Sequence, residues 1–283
     1  ITNVNNYGEQ TRRKTNNDQW VGRFDHNLTD KHRLSYRLAY NRNLILPDTQ
    51  FGNYLTQGEG NDIFERYYSQ QTGSWVWTIN PSTYSDFRVG YLRTIIYRDP
   101  PTSGADLDRL GYPGIIPRVQ FPSHQIADFT ELGGGQTVDG GLHTITAHQS
   151  VTRITGNHTI KFGGEIWAIR RNRFQFGGLS GVFQFNRDLT NNPQAPQNSG
   201  YGTATFLLGA VNAGSLTIGD KRYERGKYVA GFLQDDWRIN QRLTLNLGLR
   251  YDFETNPIDI YDRKSNFNFF RVNPITNQPG VLE

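Results

Sequence analysis

The chain contains no cysteine. Disulfides, thiolate metal sites and cysteine nucleophiles are excluded together; an oxidising compartment is compatible with this but not required by it. Methionine is also absent, even at position 1, and no signal peptide is readable at the start. The pattern begins midway, so the chain reads as an internal or processed stretch. Long apolar runs are missing as well. Only 35% of the 283 residues are hydrophobic and the mean hydropathy is −0.66. No run approaches the about 18 consecutive apolar residues of a membrane helix. The net charge of +4 is scattered, so no basic stripe or aromatic-basic motif points to nucleic acid.

Aromatic residues, by contrast, make up 13% of the chain (15 Tyr, 17 Phe, 5 Trp), which disordered segments do not show. Abundant Tyr, Asn, Thr and Gly point to an all-β protein. The clearest strand lies in WRINQRLTLNLGLRYDF at 237–253. From Leu243 every second residue is apolar (Leu243, Leu245, Leu247, Leu249, Tyr251, Phe253), and Thr244, Asn246, Gly248, Arg250 and Asp252 lie between them. Period two puts an unbroken apolar face opposite a charged one. A wall between lipid and water requires that combination.

A turn unit recurs four times: LTDKHRLSY at 28–36, INPSTYSDF at 79–87, ITGNHTIKF at 154–162 and INQRLTLNL at 239–247. Each carries turn chemistry flanked by apolar residues and predicts a tight hairpin. Outward from the turns, Trp20, Phe24, Leu34, Tyr36, Leu38 and Tyr40 share one face; so do Trp75, Trp77 and Ile79, then Phe87, Val89, Tyr91, Ile95 and Tyr97, and Ile160, Phe162 and Ile166. The face of 143–154 is not readable, nor is that of 227–237. The links at about 43–65, 98–142 and 172–225 are long and rich in Gly, Pro, Asn and Asp. The GGGQTVDGG segment at 133–141 lacks the Lys-Ser/Thr end of a phosphate loop and reads as a flexible loop. Alternation of short and long connections is the signature of an outer-membrane β-barrel, with short periplasmic turns and long extracellular loops.

Two features resist this reading. Arg93 falls on the apolar face, about ten residues beyond its turn, where an interfacial charge costs about 0–1 kcal/mol. Asp235 and Asp236 put a carboxylate on each face just before Trp237. Either the nearby turn places them at the interface or a β-bulge re-aims one side chain; a bulge is the expectation.

The segments FLQDDWRI at 232–239 and RLTLNLGLRYD at 242–252 resemble the barrel of TonB-dependent outer-membrane receptors, most closely the Oar-like branch with a carboxypeptidase-regulatory-like domain. GNHTIKFGGE at 156–165, ATFLLG at 204–209 and LGYPG at 110–114 resemble further stretches of that branch, and the likeness runs from about 19 to 267. The resemblance implies an antiparallel transmembrane β-barrel segment of about eight to ten strands from a larger barrel of about 22. It also implies that 1–283 belongs to a single receptor barrel domain whose plug and N-terminal domains lie outside this stretch. The implied function is uptake of a scarce nutrient (an oligosaccharide, peptide or metal chelate) coupled to the TonB-ExbB-ExbD complex through the plug, in the cell outer membrane. The alternative is a non-transporting surface β-protein, a small barrel or a carbohydrate-binding adhesin.

Site expectations follow from the faces. Trp20, Tyr40, Trp75, Trp77 and Trp237 are candidates for the membrane girdle, with outer-membrane lipid as partner. Arg23, Asp25, Arg37, Arg250 and Asp252 are expected to line the lumen, with Arg33, Arg88, Lys161 and Glu165. Tyr54, Phe64, Tyr112 and Phe121 are candidate substrate contacts on the long loops. Asp235 and Asp236 cannot share a proton across a substrate, because adjacent strand residues point to opposite faces. The six histidines show no metal spacing. Neither a catalytic group, nor a cofactor, nor a metal is expected, and the chain does not read as an enzyme.

Overall fold

Each of the four predicted reversals is a tight hairpin, and together they generate the sheet. The computed structural model describes residues 12–47, 62–127 and 129–282. In chain order the strands are β1 (Lys14–Thr29), β2 (His32–Leu46), β3 (Ile63–Asn80), β4 (Thr83–Asp99), β5 (Ser123–Ile126), β6 (Gln136–Thr155), β7 (His158–Gly177), β8 (Val182–Phe185), β9 (Ala213–Ser215), β10 (Arg222–Asn240), β11 (Leu243–Glu254), β12 (Ile258–Asp259), β13 (Phe267–Val272) and β14 (Pro279–Leu282), with one short helix, α1 (Gly202–Leu207). Eight long strands form an antiparallel meander in the order β1-β2-β3-β4-β6-β7-β10-β11, with β12 added to β10. Among the described residues β1 and β11 do not pair, so the sheet is open at both edges.

Three hairpins share one device. The register shifts between Asn27 and Thr29, between Thr78 and Asn80, and between Arg238 and Asn240. In each, the next side chain accepts a hydrogen bond from a backbone N–H two residues on: Thr29 Oγ1 from Lys31 (3.2 Å), Asn80 Oδ1 from Ser82 (3.0 Å) and Asn240 Oδ1 from Arg242 (2.8 Å). The β6-β7 hairpin instead keeps its register through Thr155 and His158, and turns on Gly156 at φ 57°. Glycine is what makes that positive φ inexpensive.

Pairing across the sheet fixes both faces, because directly opposed residues share a face. Trp20, Phe24, Leu34, Tyr36, Trp75, Phe87 and Val89 are connected by register to Ala147, Phe162, Ile166, Val229, Leu233, Leu249 and Phe253. This settles the faces the sequence left open. His143, Ile145, Ala147 and Val151 lie on the apolar face, as do Val229, Leu233 and Asp235. No bulge occurs at 234–236: Gln234, Asp235 and Asp236 pair without interruption with both β7 and β11. Asp235 instead stays on the apolar face near the turn, 2.7 Å from His158 Nδ1, and the His158 ring stacks on Trp237 at 5.3 Å. A hydrogen-bonded partner, rather than a backbone irregularity, accommodates the carboxylate.

The strands outrun the sequence-based boundaries. β6 and β7 have 20 residues each, against the ~9–11 that cross a bilayer. Residues 136–141, expected in a loop, begin β6, and Phe64, expected in a loop, lies in β3. The links shrink to 100–135 and 178–221, yet these two fold together. Their β5, β8 and β9 form a three-stranded sheet, with β5 parallel to β8. The buried apolar residues Leu107, Ile126, Leu179 and Phe185 all belong to this loop layer, whereas on the large sheet only Ala230 is buried among apolar side chains. Gly133, at φ 70°, closes the layer where a Cβ would stand 2.2 Å from the Pro122 carbonyl oxygen.

Candidate functional site

The polar face of the sheet carries fixed charges in cross-strand rows. Asp25, Ser35, Ser74, Arg88, His148, Glu165, Ala230 and Asp252 form one such row across all eight long strands. Arg23 is held by Asp25 at 2.7 Å, and Arg88 by Asp86 at 2.6 Å. Arg250 reaches Glu165, Asp252 (3.0 Å) and the Tyr228 hydroxyl (2.8 Å), and that hydroxyl donates to Asp252. Arg37 lies directly opposite Arg23. Lys161 sits 5.9 Å from the Phe232 ring centre. The residues expected on the lumen side therefore share one face, mostly as partners of one another.

Towards the long-loop end this face becomes rich in arginine and amide side chains. Arg98, Gln136, Arg171, Arg173 and Gln175 border one depression of about 480 Å³. Arg222 stands directly opposite Arg173, a like-charge pair. Arg98 donates to Gln136 (3.2 Å) and lies 3.6 Å from Asp62, while Arg171 lies 3.5 Å from Glu224. Thr217 of the loop layer lines a second depression with Arg173, Gln175 and Arg222, so the layer meets the polar face here. No single stretch of sequence displayed this cluster. Arg171 and Arg173 show the i, i+2 spacing of one face, but only the register with β4 and β10 adds Arg98 and Arg222.

His124, only 5% exposed, is the centre of the loop layer. Tyr112, Phe121, Phe183, Phe185 and Phe206 surround it at ring-centre distances of 5.2–6.1 Å, and the Tyr112 hydroxyl lies 2.8 Å from its Nε2. Burial pushes the Tyr112 hydroxyl up to about 12. Burial also lowers His124 from its ordinary value, against the opposing effect of backbone hydrogen bonds, so the imidazole is held neutral. Of the expected substrate contacts, Tyr112 and Phe121 are thus half-buried in this core, Phe64 lies within 6 Å of the Arg66 and Arg98 guanidinium groups, and Tyr54 lies outside the described residues. No group of three His, Asp or Glu side chains converges among the described residues.

On the apolar face Trp75 and Trp77 stack with His32, and Trp75 Nε1 donates to His32 Nδ1 at 3.1 Å. Trp237 stacks on His158 at the same turn end, and Trp20 pairs with Tyr40 farther along.

The sheet has a charged face opposite an apolar one, with reversals tight at one end and long at the other, and the family model for outer membrane beta barrel domains matches residues 1–282. The chain belongs to that family. This outer-membrane barrel chain is similar to a solved structure, that of the siderophore receptor PiuA from Acinetobacter baumannii, at 13% identity and a TM-score of 0.43. The match covers 85% of this chain and 35% of that one, so the barrel chain spans about a third of the receptor's length. At that score the likeness carries no argument about ligand. No curated protein matches the sequence.

Proposed function

We propose that the chain forms part of the barrel of a TonB-dependent outer-membrane receptor that captures a scarce nutrient and releases it inward without covalent chemistry. The observation that carries the reading is the loop layer. Two insertions from different hairpins fold around one aromatic core beside the arginine–amide end of the polar face. A layer with its own core can hold a captured molecule in a defined position, and the guanidinium groups below offer charge-assisted hydrogen bonds to an anionic or polyhydroxylated group. In this reading Arg23, Asp25, Arg37, Arg250 and Asp252 line the lumen, paired with each other or with a plug. Trp75, Trp77 and Trp237 belong to the periplasmic-side girdle; Trp20 and Tyr40 lie nearer the outer interface. Residues 1–283 then belong to a single larger barrel domain, with further strands pairing β1 and β11.

The test is growth of the source strain on single nutrients, with and without the gene, in backgrounds with and without TonB. The reading requires at least one nutrient whose uptake needs both. Paired Arg173→Gln and Arg222→Gln changes should then raise the concentration for half-maximal uptake by about tenfold, the loss of one to two charge-assisted hydrogen bonds, at unchanged surface level. Uptake independent of TonB would overturn the coupling, and no uptake phenotype with loss of surface adhesion would favour the adhesin instead.

A further inference from the structure

Arg93 interrupts the apolar face of β4, but it does not stand alone. Register runs directly from Arg93 to His143, from His143 to Arg170 and from Arg170 to Arg225, on four adjacent strands. With strands about 4.8 Å apart, the row is about 15 Å long. Lys227 follows on the same face of β10, opposite Ala168. All three guanidinium groups lie within Coulombic reach of the His143 ring, whose Nδ1 is 2.9 Å from the Tyr91 hydroxyl. Like charges placed directly opposite one another destabilise a sheet, so the row needs a counter-charge. Among the described residues Arg93, Arg170, Arg225 and Lys227 make no ion pair. Arg225 donates only to Asn172 (3.0 Å) and the Glu224 carbonyl (2.8 Å). Beyond the row on this face, Glu65 is already held by Arg42 and Asp139 by Lys221.

The height of the row identifies its surroundings. Arg93 is ten residues past the start of β4, and Arg170 twelve past the start of β7. In strands tilted by about 40° each residue climbs about 2.5 Å, so the row rises from about 25 Å above the turns at Arg93 through about 30 Å at Arg170 to about 38 Å at Arg225, near the other end of β10 from its turn, at and above the upper rim of an apolar band about 25 Å tall. Below it the face is Phe87 and Val89 on β4, Phe162 and Ile166 on β7, and Val229 and Leu233 on β10. Beside Arg93 a depression of about 490 Å³ is lined by Tyr40, Tyr67, Tyr91 and Tyr97, side chains that combine an apolar body with a polar tip. On the transport reading proposed above a captured molecule passes along the other face, so it does not reach these cations. Anions at this depth on the lipid side belong to lipid headgroups.

We propose that Arg93, Arg170, Arg225 and Lys227, arranged around His143 and flanked by the tyrosine-lined depression, dock the phosphate-bearing headgroup of an anionic glycolipid in the outer leaflet. The site is independent of what the barrel transports.

The test is binding of bisphosphorylated lipid A to the full-length protein in neutral detergent, followed by native mass spectrometry and titration. Fully dephosphorylated lipid A and inorganic phosphate serve as comparators. The bisphosphorylated lipid should bind at least tenfold tighter than the dephosphorylated one, and millimolar inorganic phosphate should not displace it. Each of R93Q, R170Q and R225Q should weaken binding about fivefold and the triple change on the order of a hundredfold, as expected for about 1 kcal/mol per surface cation. The triple Arg→Lys variant should retain most of the binding, and raising salt to 1 M should weaken the unmodified protein's binding even if the glutamine variants fail to fold. Equal affinity for the phosphorylated and dephosphorylated lipids, displacement by inorganic phosphate at matching affinity, or indifference to salt would each overturn the proposal.

Discussion

At each short turn one side chain decides how the chain reverses. Thr29, Asn80 and Asn240 accept backbone hydrogen bonds where the register shifts, whereas the β6-β7 turn relies on the positive φ of Gly156. Asn240→Ala should therefore cost about 0.5–1.5 kcal/mol, the net contribution of one hydrogen bond. Gly156→Ala should cost about 1–2 kcal/mol through the left-handed backbone. Urea unfolding of the protein in micelles measures both. On the apolar face, Leu249 is six residues above its turn and 76% exposed, near the middle of the apolar band. Leu249→Arg should lose about 2–4 kcal/mol in lipid, whereas Thr244→Arg, on the polar face beside the turn, should change stability by less than about 1 kcal/mol.

Among the elements, the loop layer is the one with a soluble-protein core. Leu107 and Phe185 are buried in it, so Leu107→Ala should cost about 2–5 kcal/mol. That loss should appear as faster proteolysis within 100–135 and 178–221, with the heat-modifiable migration of the barrel unchanged. Acid should act on the same layer. Burial keeps the folded His124 below its ordinary 6.5, so as pH falls through about 6.5 the unfolded layer takes up a proton that the folded layer resists. Its stability is complete above that pH and declines below it. Cleavage of the layer should accelerate from pH 7.5 to pH 5, and His124→Phe should flatten the dependence. The clasp at Asp259 responds to acid in the same direction, but in a lower window. Arg263 and the backbone N–H groups of Tyr223 and Tyr261 hold its carboxyl down to about 2, so its contribution is full above about pH 4 and is lost only as pH falls towards 2.

For the whole molecule, the meander was readable because the four short reversals carry local turn chemistry and most of the long strands a period of two. What depends on pairing between distant strands was not readable. The face of His143–Val151 is set by β4 and β7, since its own alternation of His, Ile, Ala and Gln favours neither side. The arginine cluster of Arg98, Arg173 and Arg222 comes from three strands, its nearest members 49 residues apart. The expected bulge at Asp235 failed because its partner, His158, lies 77 residues away. The loops proved misleading for a similar reason: Gly-rich and aromatic segments looked irregular, yet 136–141 extends a strand and His124 gathers five rings. The central claim is that the apolar face meets lipid and the polar face meets water. Because the chain lacks cysteine, single cysteines can be placed from Ile160 to Ala168 on β7 and spin-labelled in lipid vesicles. Relaxation by oxygen should peak at Ile160, Phe162, Gly164, Ile166 and Ala168, and relaxation by a water-soluble nickel chelate at Lys161, Gly163, Glu165 and Trp167. Uniform accessibility along the segment, or a period other than two, would contradict it.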